Sequence, residues 1–117
     1  MNPKPIPRLD SRRTEDNLRA VETAIDYLAL PVATLAPRPD AVHVTVTDAH
    51  ELNRWRFELG GVLRPAAPSG DGAVMLTLHT KTPTRADGSA VAVRVHAIAV
   101  EGEDVLIDVR RGAVAHA

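Results

Sequence analysis

Val42-His43-Val44-Thr45-Val46 alternates apolar and polar residues at every step, the pattern of a strand with one buried face. Asp48, followed three residues later by Glu51, opens a helix. Leu52, Trp55 and Leu59 then recur at helical spacing, and Gly60-Gly61 closes the helix. Further strands are expected over 62–66, 73–81, 90–100 and 105–110. Between them lie turns at Pro68 to Gly72, at Pro83 to Gly88 and at Glu101 to Asp104. Upstream, Leu18, Val21, Ile25 and Leu28 form one apolar stripe. That predicts a first helix over 15–30, capped by Thr14, with Glu15 and Asp16 in its first turn and Pro31 beyond its end. Pro37 and Pro39 read as loop.

Sorting the strand residues by face gives a layer. Val42, Val44, Val46, Val74, Leu76, Leu78, Val91, Val93, Val95, Val105, Ile107 and Val109 share one side. Both helices need cover for their apolar stripes, and this side supplies it. The expected fold is therefore α+β: a two-layer domain with a mainly antiparallel sheet of about five strands and two helices on one face. Residues 1–13 read as a Pro-rich basic arm, 14–112 as the domain and 113–117 as a tail.

The opposite side is mixed. It holds His43, Thr45, Thr47, Met75, Thr77, His79, Ala92, Arg94, His96, Ile98, Leu106, Asp108 and Arg110. Exposed apolar groups gathered on one surface point to a covered surface. The candidate binding residues are His43, Thr45, Thr77, His79, Arg94, His96, Asp108 and Arg110. Plain solvent surface, a subunit interface and a ligand site all remain open readings of this face.

Composition narrows the chemistry. The chain has 117 residues, a formal net charge of −1 and no cysteine. Absent cysteine excludes disulfides, thiol catalysis and cysteine-ligated zinc, and fits a cytoplasmic protein. No apolar run approaches the roughly 20 residues of a membrane span, and the first residues lack a signal core. Basic residues cluster only at Lys4, Arg8, Arg12 and Arg13, which makes these the candidate phosphate contacts of a nucleic-acid reading. Aromatic residues make up only 3%, too few for a base-stacking platform. No nucleophile-elbow serine and no glycine-rich phosphate loop is present.

The stretch His43 to Asp48, with Leu52, Trp55 and Leu59-Gly60-Gly61, resembles the opening of a vicinal oxygen chelate module, the superfamily of glyoxalases and bleomycin-resistance proteins. Residues 42–100 follow its β-α-β-β-β order. The resemblance implies a divalent metal held by His43 on the first strand and by His96 on the last, in a homodimer, because that family builds its site from two modules. The last strand lacks the family's glutamate, and Trp55 stands without a second helix aromatic in phase. The Trp and Leu-Gly-Gly pattern also looks like small actinobacterial phage and mobile-element proteins. These readings leave three expectations. The first is a non-catalytic accessory protein without a cofactor, acting on a protein partner or as a homodimer. The second is a metal-dependent chelate-type module, and the third is a nucleic-acid binder using the basic arm.

Overall fold

The structure, a computed structural model, describes residues 8–65 and 72–100. Seven elements follow in order: α1 (Arg8–Leu28), β1 (Thr34–Pro37), β2 (Val42–Thr45), α2 (Ala49–Leu59), β3 (Val62–Pro65), β4 (Ala73–Lys81) and β5 (Ala92–Val100). The five strands form one sheet in the order β1-β2-β5-β4-β3. β2 and β5 run parallel, and every other pair is antiparallel. The parallel pair arises because α2, β3 and β4 intervene before the chain returns beside β2.

The alternating valines behave as the pattern predicts. Val42, Val44, Leu76, Leu78, Val93 and Val95 are all fully buried, and Val21, Leu52 and Trp55 from the two helices join the same core. Each such aliphatic side chain contributes roughly 1.5–3 kcal/mol on removal from water. α2 lies over β4 and β5, and α1 over β1 and β2. Both helices therefore cover one side of the sheet, and among the described residues nothing covers the other. Trp55 is the largest core residue, and its Nε1–H donates to the Pro31 carbonyl at 2.7 Å, so its one polar atom is paired.

The N-cap of α2 forms as expected. Asp48 Oδ1 accepts from Glu51 N at 2.9 Å, while Glu51 Oε1 accepts from Thr47 N at 2.9 Å and from Thr47 Oγ1 at 2.6 Å. The turn after β4 is held by Asp87 Oδ1, which accepts from Ser89 N at 2.9 Å.

Three expectations are corrected. α1 begins at Arg8, directly after the last proline of the opening segment, instead of at Glu15. Thr14 is inside the helix, where its hydroxyl donates to the Asp10 carbonyl at 2.8 Å; a backward bond of this kind satisfies a threonine that would otherwise compete for a cap. Arg8, Arg12 and Arg13 are therefore helical, and α1 ends at Leu28 with Ala29 in the left-handed region. The segment read as loop around Pro37 contains strand β1, which pairs Thr34 with Thr45 and Leu35 with Val44. Its four residues are too few for periodicity to stand out, and Asn17 ties the following loop to α1 through the carbonyls of Arg38 and Pro39. The strand expected over 105–110 lies outside the described residues.

Candidate functional site

The strand order converts a list of polar residues into a surface. β2, β5 and β4 are adjacent, so the three strands that carry His43, His96 and His79 lie side by side. Register sets two rows across the open face. One row is Ala36, His43, Arg94, His79 and Val62. The next is Thr34, Thr45, His96, Thr77 and Arg64.

His43 and His96 meet diagonally between the rows. Nδ1 of His43 lies 3.0 Å from Nε2 of His96, and Thr77 Oγ1 lies 3.0 Å from His96 Nδ1. The two imidazole planes are within 4° of parallel with centroids 5.2 Å apart. A nitrogen–nitrogen contact of 3.0 Å is short for face-on stacking and fits rings joined edge to edge by one shared proton. Two arrangements satisfy the chain. In one, His43 Nδ1–H donates to His96, and His96 Nδ1–H donates to the Thr77 oxygen. In the other, Thr77 O–H donates to His96, and His96 Nε2–H donates to His43. The first leaves the lone pair of His43 on Nε2, and the second leaves a proton there. His43 thus presents a nitrogen whose state is tied to a hydroxyl two groups away.

His96 favours its neutral form for a physical reason. Burial lowers the pKa of His96 from its ordinary value, and the charges of His43, His79 and Arg94 add to the effect. Protonating both rings would aim two N–H groups at each other. His79 is lowered as well, by burial and then by the guanidinium groups of Arg94 and Arg64.

The two ends of the face differ. Met75 and Ile98 are direct register partners and remain 42% and 61% exposed. Toward the other end stand His79, Lys81 and Arg94, with Arg64 near His79. None of the described strand positions on this face is an aspartate or glutamate. The sole ion pair among the described residues is Arg54–Glu58, on α2.

Of the candidate residues, His43, Thr45, Thr77, His79, Arg94 and His96 are brought together on this face. Asp108 and Arg110 lie outside the described residues, as does Lys4. Arg12 and Arg13 are exposed on α1, away from the sheet face, and no side-chain position is described for Arg8. Thr47 binds Glu51 and serves the cap of α2. Arg64 and Lys81 were missing from the sequence-derived set. Alternation continued two residues past His79 reaches Lys81, whereas Arg64 needs the β3–β4 register.

Two imidazoles are too few to enclose a metal, and among the described residues no group of three or more histidine, aspartate or glutamate side chains is placed to hold one. No helix among the described residues is long and apolar enough to cross a membrane. No protein-family model and no curated protein matches the chain.

Proposed function

We propose that this chain is a non-catalytic binding protein that acts through protein–protein contact in the cytoplasm, with the open face of its sheet as working surface and a second copy as first partner. Small accessory proteins of phages and mobile elements, which the sequence resembles, are of this kind. The observation that carries it is the Met75–Ile98 pair, left exposed on a face that neither helix covers. Both edges of the sheet formed by the described residues are four-residue strands ending in proline, Pro37 and Pro65, which disfavours growth by edge pairing and favours the face as the route of association. The adjoining Thr45, Thr77 and neutral His96 impose little charge desolvation. A two-fold axis near Met75 and Ile98 keeps the cationic ends of the two copies apart. Light scattering across a concentration series tests this. The expected result is a dimer that Ile98→Asp converts to a folded monomer with an unchanged far-UV circular dichroism spectrum; a wild-type monomer at every concentration refutes it.

A second reading is a chelate-type metal module. It is favoured by the approach of His43 Nδ1 to His96 Nε2, 3.0 Å apart, where two ligands on one tetrahedral ion with bonds of about 2.1 Å stand about 3.4 Å apart, so a small opening of the pair would admit the ion. The β2-α2-β3-β4-β5 order over 42–100 also agrees with that resemblance. Two nitrogens per chain require two more from a second copy, so the divalent metal would lie between protomers. Native mass spectrometry without chelators decides this. One metal per dimer, lost in His43→Ala and in His96→Ala, supports it, and a metal-free dimer after incubation with zinc removes it.

A further inference from the structure

The cationic end of the open face has a second property that dimer formation does not use. Leu59, Gly61, His79, Thr80, Lys81 and Arg94 line a concavity of about 240 Å³ at the end of β4, beside the turn that follows α2. Its wall is fixed by Gly61. With φ of +108°, this residue packs against the β4 backbone so closely that an added Cβ would run into the His79 carbonyl oxygen and lie 2.9 Å from Thr80 Cβ. Lys81 and Arg94 reach the concavity from neighbouring strands and have no carboxylate partner among the described residues. Arg94 spends one N–H on the Val93 carbonyl at 3.2 Å, and its other donors have no partner among the described residues.

We propose that this concavity is a binding site for a small tetrahedral oxyanion, the phosphate group of a free small molecule. Three arguments converge. Arginine and lysine left without acids on one surface repel each other until an anion joins them. A guanidinium presents paired N–H donors that match two oxygens of a phosphate, and an ammonium adds a third. The volume suits a phosphate head and a short substituent, and is small beside ordinary drug-sized pockets of about 300–1,000 Å³.

His79 makes the site sensitive to pH. It faces Arg64 on β3, Arg94 and His96 on β5 and Lys81 on its own strand, and α2 and its turn add only the uncharged Leu59 and Gly61. With no anion bound, this surrounding disfavours the imidazolium. A bound anion reverses the local field and favours it. Proton and anion therefore bind with positive coupling.

Calorimetric titration of the full-length chain with sulfate, inorganic phosphate and glycerol phosphate tests the site. Sulfate keeps its charge throughout, so any pH effect belongs to the protein. The expected result is saturable one-to-one binding, with sulfate affinity rising about threefold or more between about pH 7.5 and 5.5. Arg94→Gln and Lys81→Gln each weaken binding about tenfold. His79→Gln binds at pH 7.5 but loses the pH effect, and Arg38→Gln, on the loop after β1, leaves affinity unchanged. Lys81 is exposed, so its variant tests the site even if Arg94→Gln fails to fold. The proposal is overturned by no saturable binding of any of the three anions at about 10 mM. It is equally overturned by losses in Arg38→Gln matching those in Lys81→Gln, or by binding confined to a polynucleotide.

Discussion

His43 and His96 face each other across the parallel β2–β5 pair, with Nδ1 of one 3.0 Å from Nε2 of the other. Because His96 has its pKa lowered from 6.5 by burial and by His43, His79 and Arg94, the unfolded chain takes up this proton before the folded one does. The stability His96 contributes is therefore complete above about pH 6.5 and is lost as the pH falls through the folded-state pKa. Melting temperature should decline from neutral pH toward pH 5, and the decline should be shallower in His96→Gln. His79, shifted the same way, adds to the slope. A melting temperature of wild type that is flat over this range would contradict the assignment.

Trp55 joins the core to the segment between α1 and β1 through the Pro31 carbonyl. Trp55→Phe keeps most of the apolar volume and strands that carbonyl, at a cost of about 1–3 kcal/mol. Trp55→Ala adds a cavity and costs about 3–5 kcal/mol. Urea unfolding of the two variants should rank them in that order, with unchanged m-values.

Ala29 has φ of +53° just past the end of α1, and Leu30 N donates back to the Ile25 carbonyl at 3.1 Å. This is a left-handed helix cap filled by a residue with a Cβ. Ala29→Gly should stabilise the chain by about 1 kcal/mol, the cost that a left-handed conformation imposes on an ordinary residue. A higher denaturant midpoint is the readout.

Gly60 and Gly61 are adjacent but unequal. Gly60 has φ of +74° and ψ of −154°, a conformation almost confined to glycine, but nothing lies within 4 Å of an added Cβ, so Gly60→Ala should lose only the backbone strain, about 1–3 kcal/mol. Gly61→Ala meets such strain plus the β4 backbone, and should lose about 2–3 kcal/mol more. Thermal unfolding of the two variants side by side measures the difference, and equal losses would show that β4 yields easily.

Much of this architecture was legible before any coordinates. Alternation named the buried faces of β2, β4 and β5 because a strand turns each successive side chain through half a revolution, whatever its neighbours. Asp48 and Glu51 announced α2 because capping is satisfied within four residues. Strand β1 escaped notice: four residues flanked by prolines acquire strand geometry only by pairing with β2. The early start of α1 escaped notice too, since the threonine that looks like a cap is equally satisfied by bonding back to Asp10.

For the site, the sequence by itself determined which residues share a surface: His43, Thr45, Thr77, His79, Arg94 and His96 follow from period-two alternation alone. Only the tertiary structure decided that β5 lies between β2 and β4. That order brings His96 to His43 on one side and to Thr77 on the other, and sets Arg94 beside His79. Alternation is a local property of each strand. Strand order is set by how α2 and the returning strands bury their apolar faces together, and no short stretch of sequence carries that sum.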